Sequence, residues 1–125
     1  MRASYAIYQA LGYLVADRVY IAPRAETADK TIPYITQQLI SSVPVNTLDG
    51  YTGHDRCRVQ IDVYHKTFHD CELLASRVKR AINNVVAGAP VIDSAMSSFD
   101  TDSNLYRISI DVFISEIIEG EFSHG

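Results

Sequence analysis

The hydrophobic pattern changes period between Cys57 and Val86, which predicts a strand followed directly by a helix. Residues 57–64 alternate apolar and polar side chains, as expected for a strand with one buried face. Apolar residues then recur at helical spacing, as Phe68, Cys71, Leu74, Ala75, Val78, Ile82 and Val85. Thr67 and Asp70 predict a capped helix start, and Gly88 with Pro90 its end. This unit carries no catalytic motif, which favours a function that depends on surfaces and assembly.

Periodicity and turn residues also predict the elements of the rest of the chain. It predicts a helix over residues 3–16 and strands over 19–22, 32–42, 91–96 and 105–117. Polar or turn-rich segments predict connections over 23–31, 44–55 and 97–104, the second of them a loop or a long hairpin tip. The order α-β-β-β-α-β-β predicts an α/β fold of the α+β kind, with two helices on a mainly antiparallel sheet of four to five strands. Residues 1–118 are predicted to form a single domain, and residues 119–125 a mobile tail.

A short sequence pattern that occurs twice predicts how two strands align. Residues 58–62 read Arg-Val-Gln-Ile-Asp and residues 107–111 read Arg-Ile-Ser-Ile-Asp. A strand–helix–strand crossover is right-handed and parallel, so the strand that follows it turns back. If that last strand lies between its two predecessors, Arg58 faces Asp111 and Asp62 faces Arg107. Such cross-strand pairs contribute only about 0.2–1 kcal/mol each, but they help to set register.

The composition of the chain disfavours several classes of function. The chain has 125 residues, a formal net charge of −4 and no Lys/Arg block, which disfavours binding driven by nucleic-acid phosphates. It contains no membrane-length apolar run, and residues 1–5 lack the apolar run of a signal peptide, so no membrane partner is predicted. Glycine-rich phosphate loops, Gly-x-Ser-x-Gly and Cys-x-x-Cys motifs are absent from the sequence.

Histidines and acids near the strand–helix junction offer a weak metal-site candidate. His65 and His69 are four residues apart and lie close to Asp62 and Asp70, but His65 falls outside the predicted helix. Residues 54–55, a His-Asp pair at the end of the long loop, are weaker still. The prediction is therefore solvent-facing or capping histidines, with no metal and no cofactor.

Paired carboxylates and cysteines are the remaining candidates for chemistry. Asp62 and Asp111 on one sheet face could perform acid–base work, but the arginines at matching spacing favour structural ion pairs. Cys57 and Cys71 share the apolar positions of the strand and the helix, so they are predicted to be buried small hydrophobes in a reducing compartment. No catalytic residue is predicted.

The tyrosines indicate more about function than the histidines, carboxylates and cysteines do. The chain has eight, and the three in the first helix cannot all lie on its buried stripe. Tyrosine is favoured at interfaces because it offers apolar area with a hydrated hydroxyl, so the set favours an oligomer. The candidate subunit or partner contacts are Tyr5, Tyr8, Tyr13, Leu48, Asp49, Tyr51 and Phe122.

The order of elements and several segments together resemble one family. The segments are Leu14-Val15-Ala16-Asp17-Arg18-Val19-Tyr20, Ile32-Pro33-Tyr34-Ile35, Val59-Gln60-Ile61-Asp62-Val63-Tyr64 and Leu74-Ala75-Ser76-Arg77-Val78. The chain resembles, over most of residues 3–117, the phage tail completion or tail terminator family of long-tailed bacteriophages and prophages. The motifs that carry the resemblance are structural, so it brings no active site with it.

The resemblance implies a subunit of a hexameric ring in the virion, assembled in the host cytoplasm. Such a ring caps the tail tube, stops its polymerisation and offers a docking surface for the head connector or stopper protein, while DNA only passes through the lumen. Ring closure is expected to use the aromatic first helix and the sheet edges, with residues 44–55 and 119–125 reaching the axial partners. Two alternatives stay open, a head–tail adaptor of the same neck region and a small metal-dependent enzyme built on Asp62, His65, His69 and Asp111.

Overall fold

A computed structural model describes residues 2–22, 31–85 and 90–117. The predicted loop at residues 23–31 (apart from Thr31), the helix-ending Gly88 and the 119–125 tail with Phe122 lie outside the described residues. The elements are α1 (Arg2–Leu11), β1 (Val19–Ile21), β2 (Tyr34–Thr47), β3 (Gly50–His65), α2 (Phe68–Val85), β4 (Val91–Asp100) and β5 (Leu105–Ile117). Their order agrees with the prediction.

The five strands form one mixed sheet in the order β1-β2-β3-β5-β4. β1 runs parallel to β2, and the other three neighbouring pairs are antiparallel. The predicted α+β class, with two helices on a mainly antiparallel sheet, is therefore confirmed. β5 lies between β3 and β4, the position on which the expected strand alignment was conditional.

The core lies between the helices and one face of the sheet. Val59, Ile61 and Val63 of β3 stand opposite Val112, Ile110 and Ile108 of β5, and all are buried. The same cluster includes Ile7 and Leu11 of α1 and Leu74, Val78 and Ile82 of α2. Burying these aliphatic side chains supplies the main driving force for folding. The opposite face of the sheet has no helix on it within the described part of the chain.

The first helix is shorter than predicted. It ends at Leu11 and tightens into a 3-10 turn over Gly12–Leu14. Ala16 and Asp17 then adopt positive φ angles of 50° and 64°, and the Asp17 N–H donates to the Gly12 carbonyl at 2.8 Å, which closes the helix end. The apolar spacing continues past this point, so it gave no signal of the stop.

The predicted start of α2 is confirmed. The Asp70 backbone N–H donates to Oγ1 of Thr67 at 3.2 Å, the hydrogen bond of an N-cap. Val85 is the last residue of the helix.

Two predicted connections contain longer strands than expected, and for residues 44–55 the structure shows the second of the two alternatives, a long hairpin tip. β2 and β3 continue to Thr47 and from Gly50, so residues 44–55 form the outer part of a long hairpin. β4 continues to Asp100, which reduces the predicted 97–104 turn to four residues. Both segments are exposed on their two faces, and a strand without a buried face shows no alternation of hydrophobic and polar residues.

Candidate assembly surfaces

The sheet face without helices, called the open face below, carries Arg58, Gln60, Asp62, Arg107 and Asp111. The register pairs Gln60 with Asp111, two residues away from the expected pairing of Arg58 with Asp111. Arg58 nevertheless reaches diagonally along the sheet, and its Nη2 donates to Oδ2 of Asp111 at 2.7 Å. This hydrogen bond and the charge of Asp111 raise the pKa of Arg58.

The second expected pair is not formed. Asp62 stands opposite Ser109, and its two carboxylate oxygens accept hydrogen bonds from Nε2 of Gln60 at 3.1 and 3.2 Å. Arg107 stands opposite Tyr64, and its Nε donates to Oγ of Ser98 at 3.3 Å. The hydrogen bond with Tyr64 is the first cause of a raised Arg107 pKa, and the charge of Asp62 adds only a distant contribution.

The histidine candidates do not assemble into a site. Within the described residues, no three His, Cys, Asp or Glu side chains are grouped so that they could hold a metal ion. Nδ1 of His65 accepts the Lys66 backbone N–H at 2.8 Å, and His69 lies exposed in the first turn of α2. Asp62 and Asp111 each have their own partner on the open face, so the acid–base pair considered from sequence is not assembled there either.

Both cysteines are buried free thiols, as predicted. Burial raises the pKa of Cys71 from 9.0 to about 11, and its thiol donates to the Val63 carbonyl at 3.4 Å. Burial also raises the pKa of Cys57, whose thiol donates to Oε2 of the buried Glu116 at 3.4 Å. Neutral, buried thiols are poor nucleophiles, so these residues act as packing groups.

The outer part of the β2–β3 hairpin, residues 43–55, is called the arm below. Its tip is a tight turn over Leu48 and Asp49 that joins the paired residues Thr47 and Gly50. Gly50 has φ 109°, a left-handed conformation that an L side chain rarely adopts, so glycine is required there. The Asp49 N–H donates to Oγ1 of Thr47 at 3.3 Å, which fixes the turn.

A bulge and a polar cluster stiffen the arm below its tip. Gly53, at φ 81°, lies at the bulge, where the Oγ1 of Thr52 donates to the Val45 carbonyl at 2.7 Å. Tyr51 donates through its hydroxyl to Oδ1 of Asp55 at 2.6 Å. The glycines that suggested a loop thus shape a strand pair and set where its side chains point.

The arm presents apolar residues to solvent. Val43, Val45 and Tyr51 are at least two fifths exposed, and Leu48 is fully exposed at the tip. β5 pairs with β3 only as far as His54, so residues 45–53 pair only with each other in the described structure. A two-stranded ribbon of this kind is marginally stable alone in water. The arm therefore has the properties of a contact element.

The three tyrosines of the first helical segment point outward. Tyr5, Tyr8 and Tyr13 are 63%, 38% and 74% exposed, while Ile7 and Leu11 of the same helix are fully buried. Nε2 of Gln9 donates to the Tyr5 hydroxyl at 2.8 Å, which orders one of the rings. The aromatic surface adjoins β2, because Nε2 of Gln37 donates to the Ser4 carbonyl at 2.9 Å.

Sequence analysis did not predict a groove at the other end of the sheet. The groove has a volume of about 230 Å³ and runs between α2 and β4; its lining combines Phe68 and Ala95 with polar and charged residues such as Glu72 and Lys79. Phe68 also meets Tyr106 edge-on, with ring centroids 5.9 Å apart. The apolar residues Phe68 and Ala95 were visible in the sequence, but their proximity depends on how β4 packs beside α2.

The fold is that of a small two-layer α+β protein, with exposed apolar side chains on its first helix, on β4 and on an extended hairpin. The family model of tail completion protein gp17 matches residues 3–115. The chain therefore belongs to this family of tail completion proteins, in agreement with the resemblance stated above.

A solved structure is similar over nearly the whole chain. It is a chain of the "Virion of native gene transfer agent (GTA) particle", with a TM-score of 0.68 and 18% sequence identity. The match covers 90% of this chain and 92% of that chain, which shows a shared fold. Among curated proteins, the sequence comparison finds no match.

Membership of this family indicates the general function of the protein. The protein has a structural role in the tail of a phage-type virion, assembles with other virion components, and is located in the virion. Neither described helix is long and apolar enough to cross a membrane.

Proposed function

We propose that this protein is a tail terminator: a ring subunit that caps the tail tube, stops its polymerisation and offers a docking surface to the head connector. The observation that carries the proposal is the family match over residues 3–115, because completing a tail means ending its growth. The similarity to a chain of a gene transfer agent virion supports the same setting.

The distribution of exposed apolar residues supports assembly into a ring. The α1 tyrosines lie at the β2 side of the sheet, and the exposed Met96 and Phe99 belong to β4 at the opposite edge. Two different contact surfaces on opposite edges suit head-to-tail association, which closes into a ring when the rotation between subunits permits. A hexamer is the closed form that we propose for residues 1–118 acting as one domain.

The arm is the proposed contact to an axial partner. A fully exposed leucine on a tight turn, followed by Asp49, provides an apolar anchor with a charged neighbour. Residues 119–125, which include Phe122, are proposed to contact the partner on the other side of the ring. The tail tube protein and the head connector or stopper protein are the two proposed partners.

The charge of the subunit suits a passage for DNA. With a net charge of −4 per chain, a ring carries no excess of positive charge that would hold the phosphate backbone. On the open face, Arg58 is neutralised by Asp111. DNA would therefore pass through the lumen without being retained.

Tube growth in the presence of the protein tests the proposal. Purified cognate tail tube protein is polymerised with and without the protein, and tube length and end structure are examined by electron microscopy. A terminator gives short tubes that carry a ring at one end. Uncapped tubes of unchanged length, together with binding to the head connector alone, would instead assign the protein to the adaptor role.

A further inference from the structure

Both outer edges of the sheet leave backbone groups unpaired in the described residues. β1 covers only Ile35–Gln37 of the 14-residue strand β2. β4 is paired with β5 along one side, and no described strand lies along its other side. Exposed edges of this kind readily pair with another chain, and natural proteins usually shield them. The β4 edge has neither a lysine nor a proline to block such pairing.

The strand directions fit a head-to-tail contact between copies. β2 and β3, β3 and β5, and β5 and β4 are each antiparallel, so β2 and β4 run in opposite directions. A second copy placed to continue the sheet therefore presents its β4 antiparallel to β2 of the first. The free β2 edge of the second copy can then accept a third, which builds a ring rather than an isolated dimer.

Apolar side chains lie where this contact would bury them. Leu39 stands opposite Val59, on the helix side of the sheet, and is 41% exposed. The groove between α2 and β4 lies on the same side, and Phe68 and Ala75 belong to the apolar part of a lining that also includes Glu72 and Lys79. Continuing the sheet from one copy to the next brings the exposed Leu39 to the mouth of that groove.

We propose that residues 38–43 of β2 in one subunit pair antiparallel with residues 94–98 of β4 in the next, with the β2 bulge at Ile40 retained and Leu39 entering the groove between α2 and β4. The inference rests on the proposed ring and specifies its contact. Pro44 has no N–H to donate, so the pairing ends there and the arm remains free.

The size of the contact makes ring closure important. Six residues of strand span about 20 Å, and a sheet with one helix layer is roughly 20 Å deep, which gives about 400 Å² per subunit. This is about half of a standard interface, so a single contact is weak. Each subunit makes two such contacts in a closed ring, and assembly is therefore cooperative.

The strand pair also accounts for the direction of the arms. Neighbouring strands pair perpendicular to their length, so a ring closed through strand edges has its strands running across the ring plane. The arms continue β2 and β3 and therefore project from one axial side of the ring. This places Leu48 where an axial partner would meet it.

Engineered disulfides test the strand pair. Ser41 and Met96 both lie on the open face and near the centres of the two segments. Rings of the double variant Ser41→Cys/Met96→Cys, free or bound to tail tubes, should give a ladder of covalent oligomers up to the closed ring on oxidation. An equal mixture of the two single variants should stop at the dimer. The pair Ser41→Cys/Leu73→Cys is the control, because Leu73 lies exposed on α2 away from the groove, and should give no ladder.

Charge substitutions provide an independent readout. Met96→Arg damages only the β4 side and Leu39→Arg only the β2 side, so each alone should abolish rings. Mixed one to one, the two variants retain one intact contact and should form dimers. Leu73→Arg should leave rings unchanged, and thermal unfolding should show all three variants folded.

The failure of the inference and that of the proposed function give different results. Rings that form normally but neither cross-link nor respond to Met96→Arg, which changes a 74% exposed side chain, overturn the strand pair and leave the terminator proposal standing. Unmodified protein that forms no ring even with tail tubes present overturns the proposed function and the strand pair with it.

Discussion

Replacement of Leu48 by serine should separate docking from folding. The side chain is fully exposed at the arm tip, so the folded subunit gains nothing from burying it. Surface substitutions away from special backbone positions change the free energy of unfolding by no more than about 0.5 kcal/mol, and Leu48 does not adopt a positive φ. Leu48→Ser should therefore unfold at nearly the same temperature as the unmodified protein.

The effect on docking should be much larger. Full burial of a leucine side chain contributes about 1.5–3 kcal/mol, and every 1.4 kcal/mol is a factor of ten in affinity. If the tip of each arm inserts into the axial partner, Leu48→Ser should weaken each contact by roughly 10- to 150-fold. Since a ring presents several arms, the loss for the whole ring should exceed that for one contact.

Binding to tail tubes, measured by sedimentation across a range of protein concentrations, provides the assay. Leu73→Ser is the matched control, because it makes the same change at a half-exposed position on α2 and should leave binding intact. Ile61→Ala is the structural control, since truncating this fully buried residue should cost about 2–5 kcal/mol in the free energy of unfolding. Unchanged tube binding by Leu48→Ser, or a fall in its stability close to that of Ile61→Ala, would refute the assignment of the arm tip.

Three further predictions concern the subunit itself. Thr67→Ala removes the N-cap of α2 and should lower the free energy of unfolding by about 1 kcal/mol in urea titrations. The pKa of Cys71 rises from 9.0 to about 11 on folding, so the unfolded chain loses this proton first as the pH increases. Its contribution to stability is therefore complete below pH 9.0 and should be lost as the pH rises to about 11, and Cys71→Ala should lack this component in a comparison of stability against pH. Arg58→Asp and Asp111→Arg should each lower the thermal unfolding temperature by placing like charges together, and the double variant should recover most of the loss; no recovery would show that the 2.7 Å ion pair is not a stabilising interaction.

The sequence predicted those elements that have one buried face. The strand through Val59 and Ile61 and the helix through Val78 and Ile82 follow their periods because the core selects for them. The order of elements follows from these periods, and a right-handed crossover between parallel strands allows β5 to lie between β3 and β4, as the structure shows. The family resemblance rested on these same segments, which explains why it agrees with the family match.

The assembly surfaces were harder to predict for a physical reason. The arm is exposed on both faces, so its sequence carries no alternation, and Gly50 and Gly53 read as loop residues although one belongs to a tight turn and the other to a bulge. The register of β3 on β5 differs by two residues from the charge-pair expectation, and because a shift of two leaves the same side chains on the buried face, the hydrophobic pattern does not distinguish the two registers. Arg58 is long enough to reach Asp111 along the diagonal, so the ion pair forms in either register.

The central claim is that this protein closes a ring on the end of a tail tube. Electron microscopy of tubes assembled with the protein, combined with the mass of the purified protein in solution, tests this claim most directly. The account predicts a hexameric ring at one end of each tube and tubes that stop growing once the ring is bound. A protein that stays monomeric with tube protein present, while uncapped tubes continue to lengthen, would contradict it.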